Sequence, residues 1–210
     1  MVRRPATRPT IPAQPALHQH LRIYAPDGVT ALADLAVPTR VGLLRPSADG
    51  RRLVTVPSYL GETASPALWD LERYRLRATL EGHGGRVFTA RFVRDEHEIL
   101  TTGIDGTVMA WDAASGQLRA AYRSGSRYLA DATLTPDGAM VVAGGGDGLL
   151  RFWEARSTKL LWTLPAHKVG VVGIRFDGGD IVTRGFGGDM SRWAVSEPRG
   201  IVELSAAEAK

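Results

Sequence analysis

The sequence predicts an all-β fold built from repeated four-stranded units, and three observations lead to this prediction. From about residue 21 onward, short segments such as "RVFTARF" and "EILTTG" have strand composition and end at Gly, Asp or Pro. Asp-Gly turn signals recur between these segments. Four tryptophans, Trp69, Trp111, Trp153 and Trp193, are spaced 42, 42 and 40 residues apart.

The composition is typical of a globular protein, and it excludes both disulfide bonds and metal sites with thiolate ligands. The 210 residues are 44% hydrophobic and 23% charged, and cysteine is absent. No apolar run approaches the ~20 residues needed to span a membrane, and the N-terminus has no secretory hydrophobic region. We therefore expect a cytoplasmic protein without a membrane partner.

The positive charge is concentrated at the N-terminus. The net charge is +4, and residues 1–26 contain four arginines (Arg3, Arg4, Arg8 and Arg22) and no acid. Subtracting these four from 26 basic residues leaves 22, which equals the 22 acidic residues. A nucleic-acid-binding domain should carry a basic face, so this neutral body predicts no nucleic-acid partner.

Composition and the tryptophan spacing divide the chain into a tail, a repeat segment and a short C-terminal tail. Residues 1–20 hold four prolines and read as a disordered Pro/Arg-rich tail, and residues 206–210 form the other tail. The repeat segment, residues 21–205, contains a partial unit at 21–40 and four full units at 41–80, 81–122, 123–164 and 165–205. In unit two, strands a, b, c and d are predicted at Val87–Phe92, Glu98–Gly103, Thr107–Asp112 and Gln117–Tyr122.

A repeat of ~40–45 residues with four strands per unit is the period of a β-propeller blade. The sequence resembles the WD40-repeat family, and "EGHGG" followed by "IDGTVMAWD", within residues 81–112, carries the resemblance most clearly. This unit has a Gly-His pair, an Asp-Gly turn six residues before the tryptophan, and a Trp-Asp dipeptide. The resemblance covers roughly residues 21–205.

The resemblance implies a hydrogen-bonded network within each blade, made by the Gly-His histidine, a strand-b Ser or Thr, the turn Asp and the strand-c Trp. Unit two has the full set: His83, Thr101, Asp105 and Trp111.

The other units have partial sets. Unit three keeps Asp147 and Trp153, with Gly125 and Ala143 at the His and Thr positions; unit four keeps His167, Thr183 and Trp193, with Gly187 at the Asp position; unit one keeps Thr55 and Trp69.

Thr101, His83 and Asp105 also have the residue types of a hydrolase triad. A triad needs an exposed nucleophile and a pocket, whereas this threonine is predicted inside a strand. We therefore expect no catalytic residue, no cofactor and no metal site. The alternative is a propeller-based hydrolase or lyase with a site in the central channel.

The b–c turn of unit one is about four residues longer than its counterparts. Thr55 and Trp69 are 14 residues apart, against 10 between Thr101 and Trp111. The long turn, "PSYLGETASP" at 57–66, is either a tolerated insertion or part of a binding surface. In the family, b–c and d–a loops share the face that usually binds partners, which here implies Tyr59, Leu60, Glu62, Arg86, Arg127, Tyr128 and Lys168.

Four units and a half are too few for the usual seven-bladed ring, which needs roughly 300 residues. Residues 21–37 read as strands c and d of a unit whose strands a and b are not seen. We therefore expect an open arc or part of a larger ring, whose exposed apolar blade faces recruit a second copy or missing blades. The resemblance implies a non-catalytic scaffold for protein–protein interaction, and by analogy the C-terminal or truncated part of a larger bacterial signalling protein.

Overall fold

A computed structural model describes residues 19–37, 39–58, 64–196 and 200–204. These residues form eighteen strands in five sheets, of which four have four strands and one has two. The two-stranded sheet comprises β1 (Gln19–Tyr24) and β2 (Ala31–Val37). The predicted all-β architecture of four blades and a partial N-terminal blade is confirmed.

Each four-stranded sheet is an antiparallel meander whose strands a to d follow chain order. Blade 1 has β3 (Val41–Pro46), β4 (Arg52–Pro57), β5 (Ala67–Asp70) and β6 (Arg75–Thr79); blade 2 has β7 (Val87–Val93), β8 (Glu98–Gly103), β9 (Thr107–Asp112) and β10 (Leu118–Arg123). Blade 3 has β11 (Leu129–Leu134), β12 (Met140–Gly145), β13 (Leu149–Glu154) and β14 (Leu160–Pro165); blade 4 has β15 (Val171–Asp177), β16 (Asp180–Gly185), β17 (Met190–Ser196) and β18 (Gly200–Leu204).

The strands of blade 2 lie within one residue of the predicted positions, and β8 and β9 coincide with them. One boundary differs at the N-terminus, where Gln19 and His20 belong to β1 although the sequence assigned them to the tail. The remainder of that predicted tail, residues 1–18, and the predicted tail at 206–210 lie outside the described residues.

Glycines in the b–c turns are fixed by both backbone conformation and space. Gly106 has φ +69°, and a Cβ there would lie 2.1 Å from the carbonyl oxygen of Ser126. Gly148 has φ +77°, with the carbonyl oxygen of His167 at 2.0 Å from the same position. Only glycine fits such turns, which explains the recurrent Asp-Gly signal.

The hydrophobic clusters join the sheets in chain order. Leu21 and Leu35 of the two-stranded sheet pack against Trp69 of blade 1. Separate clusters join blade 1 to blade 2, blade 2 to blade 3, and blade 3 to blade 4. Within the described residues no cluster joins blade 4 to the two-stranded sheet, so the sheets form a linear series.

A buried carboxylate ties the inner strands of three blades together. Asp131 of β11 accepts hydrogen bonds from the Arg91 guanidinium of β7, at 3.0 and 3.2 Å, and from the backbone N–H of Ile174 of β15, at 2.8 Å. Burial raises the pKa of Asp131, and the Arg91 charge and two backbone N–H groups offset this only in part.

Across the described residues, no helix is long and apolar enough to cross a membrane.

Candidate functional site

The four residues of the predicted network in blade 2 form a continuous chain of hydrogen bonds. The indole N–H of Trp111 donates to the Thr101 hydroxyl oxygen at 2.8 Å, and His83 Nε2 lies 2.8 Å from the same oxygen. His83 Nδ1 lies 3.0 Å from Asp105 Oδ2, which also accepts the backbone N–H of Gly84 at 2.7 Å. The network therefore links strands b and c to the preceding d–a loop.

The direction of the hydrogen bonds determines which tautomer His83 adopts. The Thr101 oxygen accepts from Trp111, so its proton is directed to His83 Nε2, and His83 Nδ1–H then donates to Asp105. Burial is the largest influence on His83 and lowers its pKa, although the Asp105 charge opposes this. A neutral imidazole with its proton on Nδ1 satisfies every group in the network.

Thr101 cannot act as a nucleophile in this structure because its side chain is inaccessible. The residue is 0% exposed, and its oxygen is engaged by both Trp111 and His83. The Thr-His-Asp set therefore lacks the exposed nucleophile that a triad requires.

Blade 4 has a complete network, which corrects the sequence alignment. His167 Nε2 lies 2.8 Å from the Thr183 hydroxyl, to which Trp193 donates at 3.0 Å. The carboxylate comes from Asp189, which contacts His167 Nδ1, whereas the alignment had placed Gly187 at this position. Asp189 lies across the turn from Gly185, at the start of strand c, and its side chain reaches back to the loop.

Blade 3 replaces the histidine with an arginine on strand c. Asp147 Oδ1 accepts a hydrogen bond from the Arg151 guanidinium at 3.1 Å, and Arg151 is only 6% exposed. Burial acts to raise the pKa of Asp147, but the hydrogen bond and charge of Arg151 outweigh it, so the pKa is lowered. Sequence reasoning missed Arg151, whose signal was a charged residue between Leu149 and Trp153 on the tryptophan face of "LLRFWE".

Blade 1 keeps the reduced pair that the sequence predicted. Trp69 donates to the Thr55 hydroxyl at 3.0 Å, and both residues are buried.

The b–c turns and d–a loops lie at the same end of the antiparallel sheets, and backbone hydrogen bonds join them. We call this end the loop face, and define it by residues 81–86, 104–106, 124–128, 146–148, 166–170 and 186–189. The N–H of Ile104 donates to the carbonyl of Arg86 at 2.8 Å, and the N–H of Phe186 donates to the carbonyl of Gly170 at 2.9 Å. In blades 2 and 4, the b–c turn is thus held against the loop that precedes its own blade.

The structure places four of the predicted partner-face residues on the loop face. Arg86, Arg127 and Lys168 are exposed, and Tyr128 is half-buried with its ring 5.5 Å from that of Phe88. The predicted Tyr59, Leu60 and Glu62 lie outside the described residues. On the described part of the loop face, Ser65 and His83 to Gly85 line a cleft of about 150 Å³ between blades 1 and 2.

Sequence reasoning missed the apolar residues of the loop face. Phe186 is 72% exposed, Val169 is 62% exposed and Ile104 is 44% exposed. The available signal was an aromatic residue within the glycine-rich turn "GFGGD", where no packing partner is expected.

The architecture defines a repeat protein of the propeller-like class, in which successive four-stranded antiparallel sheets pack face to face. Residues 74–112 and 123–154 match the family model described as "WD domain, G-beta repeat". These segments are WD40 repeats, and the resemblance that the sequence indicated is confirmed.

A similar fold occurs in a solved structure described as "Crystal structure of the computationally designed Ika4 protein". It superposes with a TM-score of 0.64 and 19% sequence identity, covering 76% of this chain and 94% of that chain. At this identity the likeness concerns the fold alone.

Proposed function

We propose that this chain is a non-catalytic scaffold that binds a protein partner through its loop face. WD40 repeats generally mediate protein–protein interaction, which supports the class of function. The observation that carries the proposal is the set of exposed apolar side chains, Phe186, Val169 and Ile104, on short turns of a rigid framework.

The surroundings of these side chains favour a protein partner. Arg86, Arg127 and Lys168 lie on the same loop face, and arginine beside aromatic residues is a frequent composition of interface hot spots. Backbone hydrogen bonds fix the turns, so binding costs little ordering of the loops. The burial of Thr101 also supports a non-catalytic role.

Site-specific photo-crosslinking tests this proposal. A benzophenone amino acid placed at position 186 should yield a protein adduct identifiable by mass spectrometry in extracts of the cells that make the protein. In a separate pull-down with the chain as bait, Phe186→Ser combined with Val169→Ser should abolish capture of that partner. The melting temperature of this variant should stay unchanged.

Leu160 provides the matched control, since it is 41% exposed but lies on β14, at the outer side of blade 3. The same photo-reactive residue at position 160 should not yield the adduct. Equal adducts from positions 186 and 160, or capture lost only on substitution in the a–b turns at Asp137 and Asp177, would show that the partner binds elsewhere.

A further inference from the structure

The outward face of blade 4, which we call the end face, carries exposed charged residues at positions where the other blades carry buried residues. Arg184 directly follows Thr183 on strand b. At the same position, blade 1 has Val56, which is 1% exposed, and blade 2 has Thr102, which is 0% exposed. We define the end face by Arg175, Arg184, Met190 and Arg192.

The same replacement occurs on strand c. Arg192 precedes Trp193, whereas Leu68, Ala110 and Phe152, each 0% exposed, precede the tryptophans of blades 1 to 3. Both arginines are exposed in blade 4. The end face therefore lacks the buried residues through which blades 1 to 3 pack against the blade that follows each of them.

A cavity of about 300 Å³ opens on the end face along the inner strand. Three guanidinium side chains, Arg91, Arg175 and Arg184, line it together with one carboxylate, Asp131. The lining has two positive charges in excess of its single carboxylate.

Two of the end-face arginines, Arg175 and Arg184, remain available to bind a ligand, because the close ion pairs within the chain involve other arginines. Asp131 is occupied by Arg91 and backbone N–H groups, and Arg192 is neutralised by Asp177 and Asp180 at 2.8 Å each. Arg175 is 58% exposed and reaches Asp177 only at 3.7 Å. Arg184 forms no salt bridge with any residue that the structure describes.

The chain itself shows what an arginine at this register binds. Arg91 pairs across strands with Leu100, and Arg175 pairs with Val182 at the equivalent position of blade 4. Arg91 is met by the Asp131 carboxylate from the neighbouring inner strand at 3.0 Å. Guanidinium groups hold carboxylates through paired hydrogen bonds, which favours the same ligand for Arg175.

We propose that the end face of blade 4 binds an acidic segment of a protein partner, with an Asp or Glu carboxylate held between Arg175 and Arg184. This site is separate from the loop face of the proposed function. A second copy of the chain is a poor occupant, since the outward face of its two-stranded sheet offers one carboxylate, Asp34, already bound by His20 and Arg22.

The probe for this site is a fluorescein-labelled hexaglutamate peptide, measured by fluorescence anisotropy with the full-length chain. Arg175→Gln combined with Arg184→Gln should weaken binding at least about tenfold, as expected for loss of charge-assisted hydrogen bonds. Arg156→Gln combined with Lys159→Gln removes two exposed charges from the c–d turn of blade 3 and should leave affinity within about twofold. Phe186→Ser should have no effect, which separates this site from the loop face.

Circular dichroism and melting temperature establish that each variant is folded. If the Gln variant is unstable, Arg175→Lys with Arg184→Lys keeps the charge and should still weaken binding about threefold, because the paired geometry is lost. Equal affinity in the Arg175/Arg184 and Arg156/Lys159 variants, or no binding by the wild-type chain at about 1 mM peptide, would overturn the proposal. Displacement of the peptide by inorganic phosphate at lower concentration than by free glutamate would also overturn it, in favour of a phosphate ligand.

Discussion

The Thr101 hydroxyl is the central atom of the blade 2 network, since it receives the Trp111 proton and faces His83 Nε2. Every member is buried or nearly so, and His83 has a side chain only 3% exposed. A buried polar group that loses its partner costs more than the net value of one hydrogen bond, so each residue depends on the next.

Removing the carboxylate from this network should destabilise the chain. Asp105→Ala leaves His83 Nδ1–H and the N–H of Gly84 without their acceptor, and we expect a loss of ~1–3 kcal/mol in the free energy of unfolding. Urea unfolding measures it. Asp105→Asn, which keeps an acceptor oxygen, should lose less. An unchanged melting temperature in Asp105→Ala together with loss of a hydrolytic activity would refute the structural role.

Burial of His83 predicts a specific dependence of stability on pH. Burial holds the pKa of His83 below its ordinary value of 6.5, so the unfolded chain takes up a proton more readily than the folded chain. The stabilising contribution is therefore present above pH ~6.5 and is lost as pH falls below that value. We expect the melting temperature to fall less between pH 7.5 and 5.5 in His83→Gln than in the wild-type chain. His97→Gln, an exposed control, should behave like the wild type; equal slopes in all three proteins would contradict the prediction.

At the scale of single elements, the a–b turn of blade 2 is the most strained segment among the described residues. Arg94, Asp95 and Glu96 have φ values of 52°, 51° and 70°, so three consecutive non-glycine residues are left-handed. Glu96 also has a buried Oε2 without a hydrogen-bond partner in the described chain. The salt bridge of Arg94 with Glu98, at 2.6 Å, and its hydrogen bond to the carbonyl of Gly138 hold the turn in place.

Relieving this turn should stabilise the chain. Glu96→Gly removes the left-handed strain and the unpaired oxygen, and we expect a gain of about 1 kcal/mol in the free energy of unfolding. Glu81→Gly is the control, because Glu81 is exposed and does not have a positive φ. Glycine there only adds freedom to the unfolded chain, so stability should stay level or decrease slightly. A loss of stability in Glu96→Gly would show that the turn is not strained.

At the scale of the whole molecule, the sequence expectation of apolar end blades is wrong for blade 4. Its outward side carries Arg175, Arg184 and Arg192. The difference arises because strand periodicity shows which residues share a face, but only the packed sheets show which face remains uncovered.

A charged end face should keep the isolated chain monomeric, and light scattering at several concentrations measures this. Arg184→Val combined with Arg192→Leu gives blade 4 the residue types of Val56 and Leu68, the residues at the same positions of blade 1. In blade 1, blade 2 packs over these two residues. We expect this variant to self-associate, because it exposes an apolar sheet face. The wild-type chain forming a dimer with rising concentration would contradict the prediction, as would a monomeric variant.

The sequence by itself determined the repeat, the strand positions and the composition of the blade 2 network. Those features are local: a strand has a period of two, an Asp-Gly turn needs a positive φ, and the tryptophan spacing counts complete sheets. For the same reason the strands predicted for blade 2 lie within one residue of β7 to β10.

Only the tertiary structure decided which residues meet across turns and between blades. Asp189 replaces the turn aspartate of blade 4 because its side chain reaches His167 from the start of strand c, which an alignment by position does not show. Arg91 meets Asp131, 40 residues away, because their inner strands become neighbours in space. The exposure of Phe186 and of Arg184 likewise depends on which surfaces the packed blades leave uncovered, and spacing along the chain carries no such information.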